Sequence, residues 1–276
     1  MSLFDAFRYD GKRAVVVGAA TGMGNAVARL VKDAGAEVVA MDRADVDLGG
    51  VTAIRVDLAD KASIEAAVAR CGGRVDALFS CAGVADGTPG IERINFIGHR
   101  HMINRMVDAR MLGRGSAIGL ISSAAGLGWD RASLPELLQF LQIEDFDEAA
   151  AWCVANRKAD YRWSKQAMNT YVAHEAFSLL KKGIRINAIL PGPTDTPLAR
   201  ANAAMWLGFG ADYRKEAGIE ASTAMEQAYP LVFLCSDAAS AISGVTVVSD
   251  AGYFGSGITE SFPPATAIAN YLSGRM

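Results

Sequence analysis

The sequence predicts an α/β fold built on one doubly wound parallel sheet, and three observations carry that expectation. Short apolar, β-branched runs recur at 14–17, 37–41, 53–56, 77–79, 117–121, 184–190 and 245–248, which makes about seven strands. Most are apolar enough to be buried on both faces. Between them, segments such as 23–32, 63–70 and 168–180 place apolar residues three and four apart, as helices packed on a sheet do. The two patterns alternate, and strands joined by crossover helices pair in parallel.

A chain of 276 residues is long enough for one large domain or two small ones. No repeat, low-complexity tract or linker interrupts it before residue 255, so a single domain over 1–254 is expected, followed by a tail over 255–276. The tail holds Phe262, Pro263, Pro264, Tyr271 and Leu272, apolar enough to dock on the body or on a partner.

Composition narrows the function. Lys and Arg number 27 against 30 Asp and Glu, a net charge of −3, whereas nucleic-acid-binding domains usually carry a basic excess. Cys71, Cys81, Cys153 and Cys235 lie far apart, without the close pairs of zinc sites or disulfide frameworks, and read as reduced thiols. His99 and His101 point to different sides of a presumed helix and His174 is remote, so no metal site is expected. Neither a signal-peptide core nor a membrane-spanning apolar run is present, and the expectation is a cytoplasmic protein with no membrane or nucleic-acid partner.

The first run, Val15-Val16-Val17, leads directly into Gly18-Ala19-Ala20-Thr21-Gly22-Met23-Gly24 and then into a helix rich in Ala and Val. Glycines there let the chain turn tightly off the strand, bring a pyrophosphate close to the backbone and present the N–H groups of the helix N-terminus to it. The second run ends at Asp42, 18 positions beyond Gly24, near where a dinucleotide fold meets the adenosine ribose. A carboxylate there accepts from ribose hydroxyls and repels a 2′-phosphate, which favours NAD; Arg43 beside it keeps NADP as the alternative.

Tyr161-Arg162-Trp163-Ser164-Lys165 sets a phenol and an ammonium one helical turn apart on a common face. A phenol titrates near ~10, and both a nearby ammonium and a positive nicotinamide ring favour its anion. Upstream stands Ser122-Ser123-Ala124-Ala125-Gly126 after a strand, and downstream Pro191-Gly192-Pro193-Thr194-Asp195-Thr196-Pro197 after another.

Taken in order, the glycine turn, Val56-Asp57-Leu58, Ser80-Cys81-Ala82-Gly83, Asn95, Ser123, Tyr161 with Lys165, and Pro191-Gly192 resemble the short-chain dehydrogenase/reductase family over residues 12–252. The resemblance implies a Rossmann-like domain and an NAD(P)-dependent alcohol dehydrogenase or ketone reductase. It casts Tyr161 as general acid/base, Ser123 rather than Ser122 as the hydroxyl on the substrate oxygen, and Lys165 as holder of the nicotinamide ribose. Asn95 would keep a water in a proton relay. Asp57 and Leu58 would flank the adenine, Cys81, Ala82 and Gly83 would run along the cofactor, and Thr194 and Thr196 would meet the carboxamide. It also implies a homodimer or homotetramer.

Two departures stand out. Ser80-Cys81 replaces the pair of asparagines the family commonly has, and Ser123 lies 38 positions before Tyr161, far more than is usual. The extra residues fall in 129–160. Ser133-Leu134-Pro135-Glu136 reads as a capping box opening one helix, and Asp145-Phe146-Asp147-Glu148 opens a second. Such a helix pair suits either a lid over an apolar ring substrate or packing on the body or a partner subunit. An insertion in this place is similar to the bacterial 3α-hydroxysteroid dehydrogenase/carbonyl reductase and coniferyl-alcohol dehydrogenase group, which implies a bulky apolar alcohol or ketone as substrate.

Overall fold

The computed structural model describes residues 2–275. Its strands are β1 (Arg13–Val17), β2 (Glu37–Asp42), β3 (Thr52–Arg55), β4 (Ala77–Ser80), β5 (Ala117–Ile121), β6 (Arg185–Pro191), β7 (Thr194–Asp195), β8 (Ser222–Thr223) and β9 (Thr246–Ser249). Seven of them form one parallel sheet in the order β3-β2-β1-β4-β5-β6-β9, while β7 and β8 pair separately. Strand order reverses between β1 and β4, where Val17 pairs with both Met41 and Ser80, and this opens a crevice at the carboxyl ends of the strands.

Alternation along β1 divides the core into two layers. Val15 and Val17 face one side with Leu78, Ile118 and Met168, and Ala14 and Val16 face the other with Phe79, Val27 and Leu231. Helices α1 (Gly22–Asp33) and α10 (Ala224–Cys235) supply residues to the second layer; α2 (Lys61–Cys71), α3 (Gly98–Asp108) and α6 (Tyr161–Lys181) supply the first. The outermost strands differ from the expectation of burial on both faces: β3 and β9 have one neighbour each, and half or more of their residues reach solvent.

The insertion forms α4 (Leu134–Leu141) and α5 (Phe146–Ala155). Asp145 caps α5 as expected, its Oδ1 accepting from the N–H groups of Asp147 and Glu148 at 2.9 and 3.0 Å. The capping box at Ser133 does not form. Ser133 is itself helical, and Glu136 instead accepts from Lys158 Nζ at 2.8 Å. Phe140 lies among Trp152, Phe96 and Trp163, with ring centroids 5.1, 5.8 and 6.0 Å away. The buried Arg100 guanidinium stacks over Phe96 and Phe140 and donates to the Ile143 carbonyl at 2.7 Å. The two helices therefore pack on the body.

After β6 the chain runs through α7 (Pro197–Ala201), α8 (Ala203–Trp206) and α9 (Ala211–Ala217). The tail starts inside α11 (Tyr253–Ile258) and ends with α12 (Thr266–Leu272). It packs through Phe254, Phe262, Ala265 and Ala269 against Ala124. Backbones meet there: a Cβ on Gly128 (φ +71°) would lie 2.6 Å from the Leu272 carbonyl oxygen. Among the described residues no helix is long and apolar enough to cross a membrane.

Candidate active site

Two connected cavities occupy the crevice. The first, about 240 Å³, lies over the glycine turn and is lined by Gly18, Thr21, Gly22, Met23 and Gly24. Its far wall is Asp42, Arg43, Asp57 and Leu58. Cys81, Ala82, Gly83 and Thr196 line both cavities and join them. The second, about 360 Å³, holds Ser123, Tyr161 and Lys165 with Pro191, Gly192 and Thr194.

The first cavity fits a dinucleotide. Gly18 (φ +87°) packs so closely that a Cβ would lie 2.6 Å from the Ala82 nitrogen, and a Cβ on Gly24 would overlap the Gly18 carbonyl. No side-chain cap from Thr21 covers the start of α1, so among the described residues its first N–H groups face the cavity. Asp42 sits at the end of β2. One carboxylate oxygen accepts from the Ala20 N–H and the other from the Ala44 N–H, both at 2.9 Å, which fixes the carboxylate at the cavity edge and leaves acceptor capacity over.

In the second cavity α6 delivers Tyr161 and Lys165 on one face. Asp160 caps the helix, accepting from the Trp163 N–H at 2.8 Å, and Asp86 accepts from the Tyr161 N–H at 2.7 Å. Lys165 Nζ donates to the Ile121 carbonyl at 3.1 Å and lies 5.5 Å from the centroid of the Tyr161 ring. Burial pulls its ammonium down to about 8. Burial also raises the Tyr161 phenol above its ordinary value; the facing Ser123 hydroxyl opposes that and Asp86 adds to it. The acidification expected from Lys165 is thus not present: burial sets the direction, and Lys165 is not among the groups that shift the phenol.

Both serines line the second cavity; Ser122 Oγ is buried and donates to the Lys165 carbonyl at 3.3 Å, while Ser123 Oγ accepts from the Ala125 N–H at 3.1 Å. Asn95 occupies a π-helical turn, Arg93–Ile97: its Oδ1 accepts from the Val84 N–H at 2.8 Å, and its Nδ2 donates to the Val84 carbonyl at 3.0 Å and to Ser164 Oγ at 3.4 Å. Its side chain thereby positions the loop after β4. That loop is also tied by Cys81 N–H to the Val17 carbonyl at 2.9 Å, and His99 Nε2 lies 3.0 Å from the Ala82 carbonyl. These bonds hold the loop with cysteine in place of the family's asparagine. Thr194 Oγ1 donates to the Gly192 carbonyl at 2.9 Å, and Thr196 caps α7.

A family model described as short chain dehydrogenase matches residues 12–132, and one described as enoyl-(acyl carrier protein) reductase matches residues 148–254. The chain belongs to the short-chain dehydrogenase/reductase family. Members bind NAD(H) or NADP(H) and act on alcohols and carbonyl compounds, so this short-chain dehydrogenase is an oxidoreductase. It is 29% identical over 252 residues to the 3-alpha-hydroxysteroid dehydrogenase/carbonyl reductase of Comamonas testosteroni, covering 86% of this chain and 95% of that one. It is 27% identical over 249 residues to a coniferyl-alcohol dehydrogenase from a Pseudomonas species, covering 87% and 96%. The fold matches that of a 3-alpha-hydroxysteroid dehydrogenase from Pseudomonas sp. B-0831, with a TM-score of 0.73, 24% identity and coverage of 91% and 99%.

The walls of this dehydrogenase's second cavity were not foreseen. None of residues 129–160 lines it; Leu198, Met205, Trp206 and Phe209 from the segment after β7, and Leu272 from the tail, do so instead. Trp206 carries no sequence signal beyond being a large apolar residue, and Leu272 none beyond belonging to an apolar tail able to dock on the body. Asp86 and Arg162, also at the cavity, were likewise passed over.

Proposed function

We propose that the protein interconverts a secondary, benzylic or allylic alcohol and its carbonyl on a bulky apolar ring compound, with NAD as cofactor. One observation carries this reading: Ser123, Tyr161 and Lys165 meet on the floor of a cavity whose upper walls are Leu198, Met205, Trp206, Phe209 and Leu272. That combination pairs a proton-transfer group with walls suited to an apolar ring. The relatives named for a hydroxysteroid and for coniferyl alcohol support the same class of substrate.

The nicotinamide cofactor supplies the hydride acceptor or donor. Ser123 holds the substrate oxygen by a hydrogen bond. In oxidation the Tyr161 phenolate takes the hydroxyl proton, and in reduction the neutral phenol gives it back to the developing alkoxide. Lys165, fixed to the Ile121 carbonyl, orients the ribose side of the site and adds positive charge beside the phenol. The Asp42 carboxylate accounts for NAD, since a 2′-phosphate would meet its negative charge. Arg43 on the same wall supports NADP as the second reading.

Tyr161→Phe is the deciding variant. It should bind NAD as the wild type does yet lose most turnover on a panel of hydroxysteroids, monolignols and terpene alcohols; near-normal turnover would overturn the assignment. We further propose a cytoplasmic homo-oligomer. Four free thiols and the exposed Phe177 and Leu180 on α6 support it, and light scattering in solution tests the assembly.

A further inference from the structure

The residue directly after Tyr161 is a cation with no ion-pair partner among the described residues. Arg162 lines the second cavity, and its one hydrogen-bond partner among the described residues is a phenol: Nη1 donates to Tyr271 Oη at 2.6 Å, with the guanidinium 4.6 Å from the centre of the same ring. Its Nε is buried with no hydrogen-bond partner, and among the described residues no carboxylate forms an ion pair with it. The other charged groups at this cavity are engaged, Asp86 by the Tyr161 N–H and Lys165 by the Ile121 carbonyl. A guanidinium carries five N–H donors in a planar fork that matches a carboxylate, and a charge partly withdrawn from water gains more from such a partner than an exposed one. Tyr271, on the docked tail, holds the fork in place beforehand.

We infer that Arg162 is a specificity-determining residue that receives a carboxylate on the substrate, so that the preferred substrates are ring hydroxy acids rather than neutral ring alcohols. The inference rests on the proposed function: with the carboxylate on Arg162, the ring lies against Leu272 and Trp206 and the carbinol reaches Ser123 and Tyr161. The alternative is that Arg162 only anchors the tail through Tyr271, in which case losing it damages every substrate alike.

The test compares each acid with its own methyl ester, using 4-hydroxycyclohexanecarboxylate and a 3-hydroxycholanoate. The wild type should show kcat/KM at least tenfold higher for an acid than for its ester, with the difference in KM and shrinking as salt is raised. Arg162→Met should bring that ratio close to one, Arg162→Lys should restore part of it, and Tyr271→Phe, which keeps the ring, should retain most of it. Equal use of acid and ester by the wild type overturns the inference, as does an equal loss on both in Arg162→Met. So does turnover of neutral ring alcohols when neither acid is accepted, which leaves the proposed function standing. If no alcohol is turned over, or Tyr161→Phe matches the wild type, the function itself fails.

Discussion

Trp206 lies against the ring of Tyr161, with centroids 5.3 Å apart and the planes inclined at 48°. The contact joins the segment after β7 to the helix that carries the phenol, so the apolar wall and the proton-transfer group are placed by one packing interaction. Aromatic pairs of this kind contribute about 0.5–1.5 kcal/mol beyond area burial. Trp206→Ala should therefore lower kcat/KM for ring alcohols about tenfold, chiefly through KM, while stability falls by about 1–2 kcal/mol. An unchanged KM would remove Trp206 from the substrate wall.

Lys165 makes a prediction about stability. Its ammonium is almost fully buried and titrates at about 8 instead of 10.5, so below pH 8 the fold carries the whole cost of burying the charge. Between about 8 and 10.5 the unfolded chain holds a proton that the folded chain has lost, and stability rises with pH across that window. Lys165→Met should raise the stability of the cofactor-free protein at pH 7 by about 1–3 kcal/mol, flatten this rise and abolish turnover. Denaturant unfolding at several pH values reads it; a variant less stable than the wild type at pH 7 contradicts the assigned cost.

The glycine turn separates two substitutions that look alike in sequence. A Cβ on Gly22 has room, 3.6 Å from Thr196, and suffers only from φ +57°, so Gly22→Ala should cost about 1 kcal/mol. Gly24 has no such room, because its Cβ would strike the Gly18 carbonyl. Gly24→Ala should cost several times as much and abolish NAD binding by calorimetry. Comparable losses in the two variants would contradict the close packing of the turn.

Asp42→Ala should raise kcat/KM with NADP at least tenfold relative to NAD, measured in one titration of both cofactors. Unaltered selectivity would transfer the discrimination to other residues of the wall, Arg43 first.

The insertion packs into the main core. Phe140→Ala removes a fully buried ring among three aromatic neighbours and should cost about 3–5 kcal/mol, with little change in KM for any alcohol. A large change in KM at preserved stability would point to a lid instead.

What could be read from the sequence was whatever local spacing determines. Short apolar, β-branched runs between period-3.6 segments located all seven strands of the main sheet to within a residue or two, and the placement of Tyr161 and Lys165 follows from one helical turn. The walls of the substrate cavity were illegible for the opposite reason. Leu272 reaches it only because the tail docks on the loop around Gly128, and Phe140 is claimed by Phe96 and Trp163, contacts that no local window contains. The apolar stripe of α4 was equally compatible with a lid and with the body. At Ser133 the local pattern was outcompeted, since Glu136 found Lys158 instead of its own helix start.

The π-helical turn at Arg93–Ile97 makes residue count part of the chemistry. A wide turn holds one amino acid more than an α-helical turn, and that surplus aims the Asn95 amide at Val84. Deleting Arg93, Phe96 or Ile97 would let the helix relax to regular winding and rotate the amide by about 100° relative to the rest of the helix, cutting the loop after β4 loose from its anchor although every side chain lining both cavities remained. For this stretch a deletion is a harsher change than any conservative replacement.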